Sequence, residues 1–549
     1  MEKGPENAEV GQQNRSLMER RDLLRLAALS AVPGMAAKSR DVQSYRNGSS
    51  AKPNIIIVMA DQVHAGLTKR SGFPLDVMPT LDSIADQGVS FDRAYACAPL
   101  CVPSRVSLLT GRWPHAHRVR QNSAASHAVF ERDLFGVVKD LGYKTCLAGK
   151  NHSYLKPADL DFWREYGHSS GWKGKNASAE VVEFDRWLTN FNHGIGLEPT
   201  AFPVEVQNPY RIVSDAIEFI GSADQSPFAL WVSFPEPHNP YQVPKPYFDM
   251  FPPDQIPERE VGPEALDKKG FKWRWLEALE KDTYPDYDQH RQRVRSNYLG
   301  MLRLIDDQLK RLVGFLDTKG LRQNTILVYL TDHGDYFTDY GLIRKGVGMP
   351  EDLIHIPMVW AGPGVKARKN KEDFVSTADI MPTLCEALGV ALPHGSQGRS
   401  LWPMLRGAEY PAEEFQSIYS EVGFGGMYYE SSDRVPYSVG KVAPPGAKVT
   451  FDELNPVTQS GNLKMLRKGH WKLLYDMMGN GELYDLSKDP YELTNLFEQP
   501  ESAAQASAML KELLAWTIRT EDDLPIARYQ TKWPEHNWYA PYRHGLPPA

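Results

Sequence analysis

Asn54-Ile-Ile-Ile-Val-Met-Ala60 is an unbroken apolar run with no polar alternation, the pattern of a strand covered on both faces. Similar runs recur at Lys144 to Ala148, Phe228 to Phe234, Thr325 to Thr331 and Ile356 to Ala361. Helical spacing fills the intervals, at Pro79 to Gln87, Leu134 to Leu141, Tyr210 to Ile220 and Arg293 to Leu316. This alternation predicts an α/β fold with a mostly parallel central sheet flanked by helices. The pattern changes after about Pro411. Short strands at Leu463 to Arg467, Trp471 to Tyr475 and Glu482 to Tyr484, then a helix from Pro500 to about Thr520, predict a smaller C-terminal α+β subdomain with a short antiparallel sheet. The expected organisation is a leader over 1–45, a catalytic domain over 46–410 and the subdomain over 411–549. The loop-rich stretches 167–209, 251–263 and 423–456 are the expected substrate-shaping insertions.

Composition narrows the function. The chain has 549 residues, 62 basic and 69 acidic, and a formal charge of -7, so it lacks the electrostatic footprint of a nucleic-acid binder. Its 4 cysteines are too few for a disulfide scaffold. Cys146 and Cys385 lie in apolar surroundings and read as core, while Cys97 and Cys101 are close enough in sequence to pair with each other. Near the N-terminus, Arg20-Arg21 precedes a short, weakly apolar stretch ending Met35-Ala-Ala37, which resembles a bacterial twin-arginine export signal. It is too short to span a bilayer, so the expectation is a periplasmic or secreted protein without a membrane span. Met18 is the more ordinary start for such a signal.

Ligands of open α/β sheets bind outside the C-terminal ends of the strands, so polar residues there carry the functional reading. The first strand ends Asp61-Gln62, and a later one ends Asp332-His333-Gly334-Asp335. Carboxylates, an amide oxygen and an imidazole converging there would hold a divalent cation, and mostly oxygen donors favour Ca²⁺, with Mg²⁺ or Mn²⁺ as alternatives. Cys101-Val-Pro-Ser-Arg-Val-Ser-Leu-Leu-Thr-Gly-Arg112 adds a nucleophile. Pro103 suits a first helical turn, and Val106, Leu108 and Leu109 supply a buried face. Cys101 is thereby placed at a helix N-terminus, where free N–H groups and the dipole favour an anionic nucleophile and an anionic substrate. Arg105, one turn along, would point back over the same spot.

The whole dodecamer resembles the signature of the formylglycine-dependent sulfatases, of the alkaline-phosphatase-like superfamily. The likeness extends over nearly the whole mature chain. Gly149-Lys-Asn-His152 is similar to the family's Gly-Lys-x-His element, Pro237-His-Asn-Pro240 to its Pro-His-x-Pro loop, and Arg344-Lys345-Gly346 stands where a later lysine is expected. Glu482-Leu-Tyr-Asp-Leu486 through Glu492-Leu-Thr-Asn495 resembles its C-terminal hallmark. The resemblance implies hydrolysis of a sulfate ester of a small molecule or carbohydrate. It implies that Cys101 is oxidised to formylglycine by a formylglycine-generating enzyme, and that Asp61, Gln62, Asp332 and His333, with residue 101, bind the metal.

The implied mechanism follows. The aldehyde hydrates to a diol, one hydroxyl attacks sulfur, and the alcohol departs; His152 then takes a proton from the second hydroxyl and the aldehyde is regenerated. Lys150 and Arg105 would hold the nucleophile's oxygens, and His238 and Lys345 would bind sulfate and protonate the leaving group. Asn122 is a further candidate to face the site. Trp163, Trp172, Trp187 and Arg186 sit near an insertion, where they either pack or meet a sugar. Two alternatives remain open: a phosphonate or phosphate ester hydrolase of the same superfamily, which the Lys150–His152 pair disfavours, and a non-catalytic secreted binding protein.

Overall fold

A computed structural model describes residues 52–521 apart from 169–170, 173–176, 193, 224–225, 424–427 and 433–460. The twin-arginine stretch, Met18 and most of the 423–456 insertion lie outside the described residues. The strands, in chain order, are β1 (Asn54–Asp61), β2 (Val89–Tyr95), β3 (Lys144–Gly149), β4 (Phe162–Glu165), β5 (Phe228–Pro237), β6 (Thr325–Thr331), β7 (His355–Ala361), β8 (Arg368–Asn370), β9 (Val375–Ser376), β10 (Ser417–Val422), β11 (Leu463–Lys468), β12 (Trp471–Asp476) and β13 (Gly481–Asp485). The first nine form one sheet in the order β4-β3-β5-β1-β6-β7-β2-β8, with β9 also on β2. The last four form a separate antiparallel sheet, β10 to β13 in order.

The apolar run at Ile55–Ala60 is buried because β1 is central, paired in parallel with β5 on one side and β6 on the other. Its residues divide between two cores. Ile56, Val58 and Ala60 face a layer that includes the long helix Arg291–Thr318, while Ile55, Ile57 and Met59 face one that includes Leu108 and Leu109 of the helix Cys101–Thr110. At about 25 cal/mol per Å² of apolar area removed from water, this two-sided burial is the main reason the run is a strand.

The five predicted strands of the main sheet and the three predicted strands of the small sheet are present. The sheet is parallel through β4-β3-β5-β1-β6 and turns antiparallel where β6 meets β7 and β7 meets β2. β2 escapes an apolar-run reading because Asp92-Arg93 interrupts it, and there the β2–β7 register shifts between Phe91 and Ala94. β10 escapes for a related reason: its polar Ser417, Ser420 and Glu421 are buried but satisfied by partners.

The 167–209 stretch is less loop-like than its composition predicts. Ser178 caps a helix over Ala179–Phe191, whose Phe184 and Leu188 form a small core with Val206. A further unpredicted helix, Phe271–Thr283, packs Trp273, Leu276 and Leu279 against Tyr336 and Tyr340. Among the described residues no helix is long and apolar enough to cross a membrane.

Candidate active site

Four parallel strands deliver the site at their C-terminal ends. β1 ends in Asp61, followed by Gln62; β3 ends in Gly149, followed by Lys150; β5 leads into His238; β6 is followed by Asp332 and His333. Gly149 is required where it stands. Its φ is +123°, and a Cβ there would lie 1.8 Å from the Ser233 carbonyl oxygen of the neighbouring strand, so only glycine lets the chain turn and present Lys150. Non-glycine residues with left-handed backbone also gather here: Gln62 at φ 69°, His152 at 39° and Arg344 at 64°. Strained backbone of this kind persists where surrounding structure fixes side-chain direction, and it is common at functional sites.

Cys101 is the first residue of the helix Cys101–Thr110, as its spacing predicts. That helix is buried along its full length, rather than on the one face that Val106, Leu108 and Leu109 suggest, because both the sheet and the 122–127 turn cover it. Asn122 reaches the helix N-terminus, its Oδ1 accepting from Val102 N at 3.1 Å. The described cysteines are all free thiols, so Cys97 and Cys101 do not pair; Cys97 Sγ instead meets Ser376 Oγ and Thr377 Oγ1, each at 3.1 Å.

Cys101 Sγ points at the strand-end side chains. It lies 3.2 Å from His333 Nε2 and 3.6 Å from Asp61 Oδ1. His333 Nδ1 donates to Gly334 O at 2.9 Å, which leaves the Nε2 lone pair facing the sulfur. Burial, reinforced by Lys345 and Lys150, pushes the His333 pKa down to about 3, so the imidazole is neutral and able to ligate. Burial alone would raise the Asp332 carboxyl, but the Arg105 guanidinium, Lys150 and the hydrogen bond from Gln62 N outweigh it and hold Asp332 well below the carboxylate range.

Asp61, Cys101, Asp332 and His333 each offer a ligand atom, all within 4.8 Å of one another, and all four residues are buried. Two carboxylates, a neutral imidazole and residue 101 suit a divalent cation. Gln62 joins this group through its backbone, whose N–H donates to Asp332 Oδ1 at 3.1 Å, while its side chain is held elsewhere: Nε2 donates to Asp335 Oδ2 at 2.6 Å, and Lys345 Nζ donates to Oε1 at 2.7 Å. Burial pushes the Asp335 pKa up to about 6 while hydrogen bonds from Phe337 N, Gln62 and Tyr241 pull it back. Asp335 lies within the Asp-His-Gly-Asp run, but its service to Gln62, 273 residues away, is a tertiary fact.

The cations surround this group. Lys150 Nζ pairs with Asp61 Oδ2. Arg105 reaches the carboxylates beside Cys101: its Nε binds Asp332 Oδ2 at 2.8 Å, its Nη2 lies 3.8 Å from Asp61 Oδ2, and its Nη1 binds Ser233 Oγ at 2.7 Å and Lys150 O at 3.0 Å. His238 Nδ1 donates to Asn239 O at 2.9 Å, which points Nε2 the other way. His152 is partly exposed, and burial together with Lys150 and Arg105 holds its pKa well below the histidine range. His168, absent from every motif above, stacks on His238 and contacts Lys150.

The insertion aromatics divide. Trp187 stacks on Phe191 and Trp163 packs on the core, whereas Trp172 is 38% exposed beneath the Arg164 guanidinium.

Fold and site together define a class: an alkaline-phosphatase-like hydrolase of anionic esters, with a buried cluster of cations and metal-ligating groups at the ends of parallel strands. The sulfatase family model matches residues 53–390, and the chain belongs to the sulfatase family. Its activity is hydrolysis of sulfate esters. It is 26% identical over 494 residues to an arylsulfatase of Clostridium perfringens, covering 84% of this chain and 94% of that one. It is 25% identical over 501 residues to a Delta 4,5-hexuronate-2-O-sulfatase of Bacteroides thetaiotaomicron, covering 86% and 90%. The crystal structure of a phosphonate monoester hydrolase of Agrobacterium radiobacter superposes with a TM-score of 0.69 at 24% identity, over 85% of this chain and 96% of that one, a likeness of fold.

Proposed function

We propose that this sulfatase works through a formylglycine made from Cys101 by a formylglycine-generating enzyme, beside a divalent cation held by Asp61, Gln62, Asp332, His333 and residue 101. Calcium is the expected ion, because the donors are mostly oxygen. The observation that carries the reading is the placement of Cys101 Sγ 3.2 Å from His333 Nε2 and 3.6 Å from Asp61 Oδ1, at a helix N-terminus. When bound, the cation supplies Lewis-acid charge and the hydrated aldehyde supplies the attacking hydroxyl.

The remaining steps belong to this chain's side chains. Lys150 fixes the oxygens of residue 101, and Arg105 acts one layer below by locking Asp332 and the β3 and β5 strand ends. His238 and Lys345 bind sulfate and offer a proton to the ester oxygen as the S–O bond breaks, so the alcohol leaves neutral. Because neutral His152 has a depressed pKa, it accepts a proton from residue 101 only transiently, as sulfate is expelled. Charge developing on the leaving oxygen beside these preorganised cations is what makes them effective.

The substrate class is a sulfated small molecule or sulfated carbohydrate, and the hexuronate sulfatase among the relatives favours the carbohydrate. A catalytic domain over 46–410, a subdomain over 411–549 and export to the periplasm or medium through the twin-arginine route complete the reading. Mass spectrometry of the peptide spanning Cys101 tests it: active enzyme should carry aldehyde in place of thiol, and a wholly unmodified cysteine would overturn the mechanism. A panel of sulfated mono- and oligosaccharides, with phenyl phosphonate as the contrasting ester, identifies the substrate. Preferred turnover of phosphonate would contradict the sulfate reading.

A further inference from the structure

His168 follows the edge strand β4 and stands where the 167–209 insertion leaves the sheet. Its ring is stacked on His238, with centroids 3.8 Å apart and planes 27° apart, and meets His152 edge-on at 5.6 Å. Its Nε2 lies 2.8 Å from Lys150 Nζ and 3.6 Å from Asp61 Oδ2. An ammonium group only donates, so His168 Nε2 is the acceptor of that bond and the ring proton resides on Nδ1. One imidazole therefore meets four side chains that the proposed mechanism uses: His238, His152, Lys150 and Asp61. Packing alone would ask only for an aromatic ring there; an acceptor aimed at a buried lysine asks for more. The side chain is 15% exposed, whereas that of Lys150 is wholly buried, which places His168 between the insertion and the sulfate-binding groups.

We propose that His168 is a positioning residue for sulfate ester hydrolysis: it accepts a hydrogen bond from Lys150 and backs the ring of His238. The inference rests on the roles given above to Lys150 and His238. It would tie the start of the chain segment after β4 to the sulfate pocket through these two contacts. A lysine on a four-carbon stem has several directions open to it, and a misplacement of about 1 Å costs on the order of 100-fold in rate.

The test uses the full-length, matured enzyme with an aryl sulfate. His168→Phe keeps a ring against His238 and removes the acceptor, whereas His168→Gln keeps an acceptor at a similar reach and removes the ring. The Phe variant should lose about 10- to 100-fold in kcat/KM. The Gln variant should recover at least about fivefold of that loss, a rescue that a merely structural role would not give. Combining His168→Phe with Lys150→Ala should lower kcat/KM no more than about threefold below Lys150→Ala alone. A Phe variant of wild-type activity, a Gln variant no better than Phe, or full additivity in the double variant each overturns the inference. Should the Phe variant fail to fold, the Gln background carries the test: because Gln keeps the acceptor, Lys150→Ala should cost as many fold there as in wild type, and a much smaller cost overturns the inference. If Lys150→Ala is itself fully active, the sulfate-site reading falls and the inference with it; if Lys150→Ala is crippled and His168→Phe is not, only the inference falls.

Discussion

Two of the buried charge clusters among the described residues are built to opposite ends. One is the site around Cys101. The other joins the two sheets: Tyr95 at the end of β2 and Glu351 after β6 meet Arg467 of β11 and Lys472 of β12, with Glu492 beyond β13. In this junction Lys472 Nζ donates to Met349 O at 2.6 Å, Glu492 Oε1 at 2.7 Å and Glu351 Oε1 at 3.1 Å, so its three protons have three acceptors. Arg467 Nε reaches Tyr95 OH at 3.0 Å, and that hydroxyl donates to Glu351 Oε2 at 2.7 Å. Every group answers another within the protein. Around Cys101 the order is different: a neutral imidazole lone pair, two carboxylates and a thiol converge within one buried space, with Lys150 on Asp61 and Arg105 on Asp332 beside them. Closed networks hold structure; converging ligands and nucleophiles do chemistry.

Cys101→Ala tests the first half of that contrast most strongly. Hydrolysis should fall by about 10⁴-fold or more, as for loss of any nucleophile acting with its partners. Unfolding free energy should change by only about 1 kcal/mol, within the range of a small side-chain truncation. Paired rate and denaturation measurements check both. A large stability loss would mean that the thiol is as structural as the junction. Lys472→Ala is the converse. It leaves Glu351 and Glu492 buried without their cation, which should cost about 3–5 kcal/mol of stability. The kcat of the folded fraction should stay within about twofold of wild type.

These two clusters also differ in how far the sequence discloses them. The site was legible because its residues sit at strand ends in short local patterns, such as Asp61-Gln62, Asp332-His333 and the Cys101 dodecamer, and because β1 and β6 are apolar runs whose ends are easily seen. His168 was not, since Tyr-Gly-His carries no spacing and its meaning comes from a ring 70 residues away. Nor was the junction, whose members span Tyr95 to Glu492 and look individually like ordinary surface charges. β2 and β10 were hidden for the same reason: polar residues in a strand are read as exposure unless their distant partners are known, as Glu421 is known only once His115 is placed 2.6 Å away.

Removing the metal provides a third, smaller test. If Asp61, Gln62, Asp332 and His333 hold a cation in the folded state alone, saturating it at about 100 times its dissociation constant adds about 2.7 kcal/mol. Chelation should therefore lower the melting temperature of wild type and of Lys472→Ala alike. Asp332→Asn should not respond. A chelator response that survives in Asp332→Asn would place the ion elsewhere.

The smallest effect concerns the junction and pH. Burial raises the Glu351 carboxyl, but Lys472, Arg467 and His355 more than reverse this and bring its pKa from 4.5 down to about 2. A folded-state pKa below the unfolded one means that the unfolded chain binds the proton first. The stabilisation is thus present above about pH 4.5 and disappears as pH falls towards 2. With the side chain 20% exposed and partly screened, its size is on the order of 2 kcal/mol. Glu351→Gln keeps an oxygen towards Tyr95 and removes the titration. The stability gap between wild type and this variant should be open at pH 7, narrow from pH 5 downwards and nearly close by pH 2, as followed by urea unfolding at each pH. A gap independent of pH would show that Glu351 contributes by packing and not by charge, and the junction would then be less unlike an apolar contact than its ion pairs suggest.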